Sequence, residues 1–332
     1  MKAIFLILGI LVGLTSCEKI LFEPDLATKD PFVNFDYLWQ EVDKKYSYFQ
    51  LKNIHWEGVK NTYRPMISSQ MSEEELFEVL ANMLKELKDD HTNLFSPFNV
   101  SAFNVAYSGP ENYRQRTIEE FYIPNIWLTG PFLHGFLGNS DIGYLRYASF
   151  SDEFSDVDLD FILNRYAQTK GLILDLRANG GGSIFNVPKL LGRFTTQKTL
   201  VGYSITRNGP LHTDFSERED FYVTPYHGFK YLKPVVVLID RGSYSATTFF
   251  AMATKAFPSF TLVGDTTGGG GGLPNGGQLP NGWTYRFSVS QLLDLNGNND
   301  SENGVAPDIQ VDFNWNDLTK DEILDRAILE LQ

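Results

Sequence analysis

The sequence predicts an α/β core preceded by an all-helical segment. Two short apolar runs, 172–174 and 235–239, contain no charged residue and are typical of strands that are buried on both faces. Apolar residues recur with helical spacing at 157–167, and a helix of small residues is predicted at 246–256. Strands and helices therefore alternate from Gly143 onward, as they do in α/β proteins.

Ahead of this core, residues 33–90 carry apolar residues at three- and four-residue spacing, which predicts helices. Ser72 and Glu75 are placed to form a capping box at the start of the last of these helices. Residues 96–140 show no clear period, and 45 residues are fewer than most independent domains contain. The predicted parts of the folded chain are a helical domain at 33–95, an irregular insert at 96–140 and an α/β core at 141–332.

The composition excludes two broad classes of protein. With 332 residues, 42% of them apolar and 21% charged, the chain can bury a large core and is not a disordered tail. Its formal net charge of -13, with no basic run to offset it, opposes binding to nucleic acid. The single cysteine excludes an internal disulfide, and no two of the five histidines have metal-ligand spacing. We therefore expect neither a metal nor an organic cofactor.

The first 16 residues are predicted to be a leader for export. Residues 4–14 form an apolar run of 11 residues, which is too short to span a bilayer. The tetrapeptide that ends at Cys17 resembles the bacterial lipoprotein box, in which cleavage leaves the cysteine to carry a lipid. This predicts a signal peptide at 1–16, a tether at 17–32 and a lipid that anchors the protein to the bacterial envelope membrane, on its periplasmic or cell-surface side. The alternative is a buried cysteine in a cytosolic protein.

A glycine-rich loop follows the first apolar strand. Gly180, Gly181 and Gly182 come in succession, and glycines allow backbone amides to approach a ligand oxygen closely. Such amides would form an oxyanion hole. A tight strand-to-helix turn is the alternative, and the loop lacks the lysine and hydroxyl pattern of a phosphate-binding loop.

Two serines lie where the second apolar strand meets its predicted helix. A hydroxyl at Ser243 or Ser245 would face the positive end of the helix dipole, with the amide of Ala246 available to stabilise an oxyanion. This arrangement suits a serine nucleophile, although the spacing is not the G-x-S-x-G pattern of α/β-hydrolases. Either serine would also serve as a plain helix cap, so both roles stay open from spacing alone.

His91 is the candidate base for such a serine. It ends a long predicted helix next to Asp89 and Asp90, and histidine has the side-chain pKa nearest to neutral pH. The other four histidines lie among aromatic and loop residues, where a packing or surface role is the better interpretation. Glu302 lies in a turn that contains Gly and Pro, and taken singly it is a solvated loop carboxylate.

Taken in chain order, four segments resemble the C-terminal-processing peptidase family, in particular its tricorn-core and interphotoreceptor retinoid-binding branch. They are the Asp-Asp-His-Thr segment at 89–92, the Leu-Asp-Leu-Arg strand with its glycine loop at 174–182, the Gly-Ser-Tyr-Ser-Ala turn at 242–246 and the Gly-Val-Ala-Pro-Asp segment at 304–308. The resemblance covers 33–95 and 141–315 and implies a crotonase/ClpP-like spiral core of ββα units. The site that it implies consists of Ser245 as nucleophile, His91 as base, Glu302 as acidic group, and the amides of Gly181 or Gly182 and of Ala246 as oxyanion hole.

The sequence departs from the bacterial branch of that family at two points. That branch pairs its serine with a lysine, but Gly270 stands at the lysine's place, and Lys255 would lie about 15 Å along the helix from Ser245. Asp90 stands where the tricorn enzyme has a second serine, so Asp90 is a candidate supporting residue. The insert at 96–140 occupies the place where relatives often carry a PDZ domain, so no PDZ domain is expected.

The sequence thus predicts an exported serine endopeptidase that cleaves peptides or unfolded proteins through an acyl-enzyme and a Ser-His-Glu relay. One alternative is a catalytically idle lipoprotein that holds peptides or hydrophobic ligands in the cleft between its helical and α/β parts. A second is hydrolysis of another ester or amide by the same serine. The joint presence of Ser245, His91 and Glu302 favours an enzyme, because a binding protein does not need all three.

Overall fold

Three helices build the N-terminal part of the computed structural model, which describes residues 27–138 and 141–332. They are α1 (Pro31–Lys45), α2 (Trp56–Tyr63) and α3 (Glu73–Lys85), and the strand β1 (Asn93–Phe95) follows them. The side chain of Asp30 caps α1, and Ser72 and Glu75 form the predicted capping box at α3. The predicted helical segment is confirmed, whereas the leader, Cys17 and the tether up to residue 26 lie outside the described residues.

The remaining strands form one large sheet, one small sheet and two of the three strands of another small sheet. Their bounds are β2 (Trp127–Thr129), β3 (Phe132–Leu137), β4 (Ile142–Tyr147), β5 (Gly171–Asp175), β6 (Thr199–Thr206), β7 (Glu219–Val223), β8 (Val235–Ile239), β9 (Phe260–Gly264), β10 (Pro274–Gln278), β11 (Thr284–Ser288), β12 (Ser290–Leu293) and β13 (Ile309–Gln310). The central sheet has the order β13-β9-β8-β5-β4-β3-β2. It is parallel from β13 to β4 and antiparallel from β4 to β2. A second sheet, β12-β6-β7, is antiparallel.

Helices cover both faces of the central sheet. The helices in question are α4 (Gln115–Phe121), α5 (Asp156–Arg165), α6 (Asn186–Leu191), α7 (Ala246–Thr254) and α8 (Glu322–Leu329). One buried cluster joins α5, α6 and α7 to the sheet, and another joins α4 and α8 to its opposite face. All residues of β5 and β8 are buried, as expected for parallel strands between two helical layers. The α/β class is therefore confirmed.

The helical part includes two strands, β10 and β11, from the C-terminal third of the sequence. Strands β10 and β11 pair with β1 in the antiparallel sheet β1-β11-β10. The rings of Trp283, Tyr285 and Phe287 are buried in the same cluster as the apolar faces of α1 and α3. This differs from the predicted division at residue 141, because alternating apolar residues indicate a half-buried strand but not the core that it joins.

The predicted insert also differs from the structure in its last third. Strands β2 and β3 belong to the central sheet, and β3 pairs with β4 along its whole length. The strand β3 contains Phe132, Leu133, His134 and Gly135 in succession, which gives no clear period from which a strand is predicted. Within the described part of the chain, no helix is long and apolar enough to cross a membrane.

Candidate active site

The turn between β8 and α7 carries the candidate nucleophile. Ser245, which precedes α7, has φ 59° and ψ -118°. Residues with a Cβ rarely adopt this backbone conformation, and it strains the folded chain by about 1–3 kcal/mol. The Ser245 amide donates a hydrogen bond of 2.8 Å to the Gly269 carbonyl, which holds the turn in this shape. A sharp strand-to-helix turn of this kind exposes its hydroxyl, although the spacing is not that of an α/β-hydrolase.

The two serines that the spacing left open have different surroundings. Ser243 is fully buried, and its Oγ donates a hydrogen bond of 2.8 Å to the Leu176 carbonyl. Its amide donates to Asp240 Oδ1 at 3.0 Å. The Oγ of Ser245 instead lines a cleft and lies 2.9 Å from His91 Nε2. Ser243 therefore holds the strand end together, and Ser245 is the hydroxyl within reach of a base.

His91 lies in the turn after α3 and reaches a serine that is 154 positions away in the chain. Its amide donates a hydrogen bond of 2.8 Å to Asp89 Oδ1, which fixes the turn. Its ring packs edge-on against Tyr244, with the ring centroids 5.0 Å apart. The helical part and the α/β core thus each contribute one member of the Ser–His pair.

Burial is the main influence on the pKa of His91 and lowers it below the ordinary histidine value. The positive charges of Arg286 and Lys52 lower this pKa further, while Asp89 and Asp90 raise it. The imidazole is consequently neutral at neutral pH, which is the form that accepts a proton from serine. Its Nδ1 is buried and makes no hydrogen bond to any described residue.

The glycine loop lies directly against the serine. Gly181 has φ 91°, and a Cβ at this position would lie 2.8 Å from Ser245 Cβ and 2.9 Å from the Ala246 amide nitrogen, so only glycine fits. The Gly181 amide donates to Asn179 Oδ1 at 3.0 Å and is therefore already engaged. The amides of Gly182 and Ala246 make no hydrogen bond within the described residues, and both residues line the cleft. These two amides are free to receive an oxyanion.

Glu302 is buried and binds a lysine. Its Oε1 lies 2.6 Å from Lys52 Nζ, and its Oε2 accepts a hydrogen bond of 2.8 Å from the Gly271 amide. Burial, together with the negative charge of Asp89, raises the pKa of Glu302 to about 8 in spite of Lys52. No hydrogen bond joins Glu302 to His91 in the part of the chain that the structure describes.

Asp89 is the buried carboxylate that acts most strongly on the histidine. It accepts hydrogen bonds from the Ser288 hydroxyl at 2.8 Å and from the Tyr244 hydroxyl at 3.3 Å. Burial alone would raise the pKa of Asp89, but the charges of Lys52 and His91 and the hydrogen bond from Ser288 outweigh it, and the pKa lies below its usual range. Asp89 is therefore ionised at neutral pH, close behind the imidazole.

Asp90, the candidate supporting residue, serves a neighbouring loop. Its carboxylate accepts hydrogen bonds from the amides of Asn104 and Val105, the latter at 2.6 Å. It also lines the cleft beside His91. Its contacts thus position a loop at the rim of the cleft.

The place of the lysine in the bacterial branch is filled by an aromatic ring. A Cβ at Gly270 would lie 2.4 Å from Cζ of Tyr244, so a side chain at 270 requires this ring to move. Lys255 pairs with Asp308 at the C-terminal end of α7, the opposite end from Ser245, and is not among the residues that line the cleft. His91 is the base that the geometry offers to Ser245.

The cleft around Ser245 has a volume of about 550 Å³. Apolar side chains form one part of its wall: Ile184, Phe221, Phe249 and Leu292. Among the residues that line it, Arg286 is the only lysine or arginine. No group of three or more His, Cys, Asp or Glu in the described ranges is placed to hold a metal ion.

Lys52 and Arg286 are the site residues that sequence reasoning missed. Lys52 lies in a turn between α1 and α2 and belongs to none of the motifs, and Arg286 lies on the exposed face of β11. Asp89 was noted only as a neighbour of His91. The one sequence signal for Arg286 is the alternation of aromatic and polar residues over 284–288, which predicts that its side chain points away from the core.

Comparison with known proteins gives this arrangement its context. Residues 141–311, just over half of the chain, match the model of peptidase family S41. The chain belongs to peptidase family S41. Residues 28–85 match the Tricorn protease C1 domain, so the helical part and the core resemble the same group of enzymes. The resemblance to C-terminal-processing peptidases that the motifs predicted is confirmed, and with it the serine-type peptidase class.

Solved S41-type structures share this fold over most of the chain. A proposed peptidase from Parabacteroides merdae ATCC 43184 is 36% identical, with a TM-score of 0.87 over 92% of this chain and 97% of that one. Mature CPAF, at 14% identity and a TM-score of 0.68, covers 91% of this chain and 96% of its own and is similar in fold alone.

The curated relatives match a shorter region. The carboxy-terminal processing protease CtpB of Bacillus subtilis (strain 168) is 28% identical over 172 residues, which are 51% of this chain and 34% of that protein. CtpA of the same organism is 27% identical over 179 residues, or 53% and 36%. The chain therefore spans about a third of the length of these two relatives.

Proposed function

We propose that the protein hydrolyses peptide bonds through an acyl-enzyme formed on Ser245. The distance of 2.9 Å between Ser245 Oγ and the Nε2 of a neutral, buried His91 carries the proposal. His91 takes the hydroxyl proton as Oγ attacks the substrate carbonyl, and it then gives that proton to the leaving amine. Water, activated in turn by His91, releases the acyl group.

The backbone supplies the stabilisation of the tetrahedral intermediate. We assign the amides of Gly182 and Ala246 to the oxyanion, since Gly181 is engaged with Asn179. Donors held in place by a rigid turn need no reorganisation during the reaction, and loss of one such donor typically costs about 3–4 kcal/mol of transition-state stabilisation.

The acidic part of the relay is a buried charge cluster rather than one contacting carboxylate. Asp89 and Glu302 are both buried, and the charge of Lys52 acts on both of them. In the proposed Ser-His-Glu relay, Glu302 acts on the imidazolium through this cluster, and Asp89 supplies the nearer negative charge.

The substrate is a peptide or an unfolded protein. The apolar wall formed by Phe221, Phe249 and Leu292 suits an apolar side chain on the acyl side of the cleaved bond. The relatives named for carboxy-terminal processing support a protein substrate. Short chromogenic peptides with Phe or Leu before the cleaved bond are expected to be cleaved faster than peptides with Asp there.

A fluorophosphonate probe tests the nucleophile. The chain from residue 27 onward is expected to label, Ser245→Ala to lose labelling, and His91→Ala to slow it by at least about a hundredfold. Ser243→Ala is the matched control, because it removes a hydroxyl from the same turn and is expected to label while losing about 1–3 kcal/mol of stability. Unchanged labelling of Ser245→Ala would reject the proposal and favour the idle binding protein.

We further propose that the protein is exported and held to a membrane by a lipid on Cys17. The support is the leader pattern at 1–16 and the tetrapeptide before the cleavage point. Cys17→Ala is expected to move the full-length protein from the membrane fraction to the soluble fraction. Retention of this variant in the membrane fraction would contradict lipidation.

A further inference from the structure

We propose that Lys52 is a positioning residue of the hydrolytic site, because its ammonium ties the glutamate-bearing loop of the core to the histidine-bearing turn of the helical part. The inference rests on the proposed function and adds to it a residue that no motif contains. Lys52 does not line the cleft and is not expected to touch substrate.

Three contacts converge on the ammonium. Lys52 Nζ lies 2.6 Å from Glu302 Oε1, and it donates to the carbonyls of Lys88 at 2.9 Å and Leu87 at 3.2 Å. Lys88 has φ 49°, so the backbone directly before Asp89 is in the left-handed region. The ammonium thus stabilises the strained exit of α3, which leads within three residues to the base.

The Lys52–Glu302 ion pair is buried. The side chains of Lys52 and Glu302 are only 9% and 2% exposed, so water screens their interaction weakly. Asp89 lies in the same buried region and repels Glu302. One cation therefore lowers the pKa of both carboxylates, and its loss would leave the buried charge of Asp89 without this partner and favour the protonated form of Glu302.

The ionisable groups that surround this cluster come from both parts of the molecule. The helical part, including β11, supplies Tyr46, Tyr48, Asp89, Asp90, His91 and Arg286, and the core supplies Tyr244 and Glu302. Burial raises the pKa of each of the three tyrosines well above its ordinary value, so they are neutral throughout the working pH range. The titration near neutral pH belongs to His91 and Glu302.

Solvent protons have access to the cluster. A second cavity of about 290 Å³ borders Lys52, Asp89, Glu302 and Tyr244, and Ser245 and His91 are not among the residues that line it. Glu302 can therefore exchange its proton without the substrate cleft being open.

The charge of Lys52 is expected to appear in the pH dependence of stability. The pKa of Glu302 is about 8 in the folded chain against an ordinary value of 4.5, so the folded chain loses stability as pH rises between these values. Lys52 lowers this pKa, so in Lys52→Met the loss extends to higher pH. The melting temperature of Lys52→Met is expected to fall further below that of the wild type at about pH 9 than at about pH 6.

Lys29→Met is the matched control for this measurement. It removes a lysine that pairs with Glu73 at 2.7 Å, but the two side chains are 82% and 52% exposed. Its melting temperature is expected to follow that of the wild type at every pH. If Lys52→Met also follows the wild type with a constant offset, the inference is wrong, whatever the labelling kinetics are.

Fluorophosphonate kinetics supply the second readout. Lys52→Met is expected to label about tenfold more slowly at neutral pH, the factor that corresponds to a pKa difference of about one, and to regain rate at higher pH as Glu302 ionises. Lys52→Arg keeps the charge and the donors, and it is expected to label at near the wild-type rate. A purely structural role would lower the melting temperature of Lys52→Met without moving the pH dependence of its labelling.

If Lys52→Met folds poorly, the double variant Lys52→Met with Glu302→Gln still tests the inference. It replaces both charges by neutral groups of similar shape and is expected to be more stable than Lys52→Met. It is also expected to label slowly at every pH, because no group remains to titrate near 8; wild-type labelling in this variant would overturn the inference. If the wild-type chain shows no labelling that depends on Ser245, the proposed function fails, and the stability measurement separately decides whether the Lys52 contact acts through charge.

Discussion

Replacement of Ser245 by glycine is expected to stabilise the folded chain while removing the proposed nucleophile. Ser245 has φ 59° and ψ -118°, a conformation that strains any residue with a Cβ by about 1–3 kcal/mol. Glycine reaches this conformation without a clash, but it adds freedom to the unfolded chain worth about 0.5–1 kcal/mol. The expected net gain in the free energy of unfolding is about 1 kcal/mol.

Ser245→Ala is the matched control for this prediction, because alanine loses the same hydroxyl and the same contact with His91 but keeps the Cβ. Urea unfolding of both variants, followed by tryptophan fluorescence and by circular dichroism, measures the difference. The glycine variant is expected to be the more stable of the two by about 1 kcal/mol, and neither variant is expected to label. Equal stability, or a less stable glycine variant, would refute the argument that this turn stores strain.

Four further outcomes follow from the contacts and charges in the structure. Gly270→Ala is expected to reduce fluorophosphonate labelling by at least about tenfold, because the new Cβ would lie 2.4 Å from the Tyr244 ring, which packs against His91. Labelling at the wild-type rate would show that the ring can move without displacing His91. The labelling rate is expected to fall below pH 6.5 in a step separate from the titration of Glu302 near 8, since burial lowers the pKa of His91 and the neutral form is the base. Arg286→Met removes a charge that lowers this pKa and should move the fall to higher pH, and an unchanged profile would contradict that coupling. Arg177→Met is expected to cost about 3–5 kcal/mol in urea unfolding, because this fully buried guanidinium pairs with two buried carboxylates; a loss below about 1 kcal/mol would argue against the network.

Short sequence patterns predicted the elements that are determined by neighbouring residues, namely the buried strands and the helix cap. The runs 172–174 and 235–239 became β5 and β8 because an unbroken apolar strand is stable only between two covered faces. The capping box at Ser72 formed as expected, since its partners are three residues apart. The order of four motifs likewise predicted the peptidase family that the comparisons show.

Features that depend on contacts between distant segments were not predictable from one sequence. The hairpin of β10 and β11 has the alternation of any half-buried strand pair, and only the folded chain shows that it completes the helical part. Lys52 is one of many lysines in the sequence, and its importance comes from a glutamate 250 positions later. The spacing of Ser243 and Ser245 could not separate a structural hydroxyl from one beside a base, because that difference is the position of a histidine on another segment.

The β10–β11 hairpin also dictates when the site can appear during synthesis. The helices that deliver His91 are made first, but their cluster lacks the rings of Tyr285 and Phe287 until most of the chain has left the ribosome. Both members of the Ser–His pair have already been made while the cluster behind the helices is still incomplete. The Ser–His contact is therefore expected to form late in folding, after these two strands have docked on the helices.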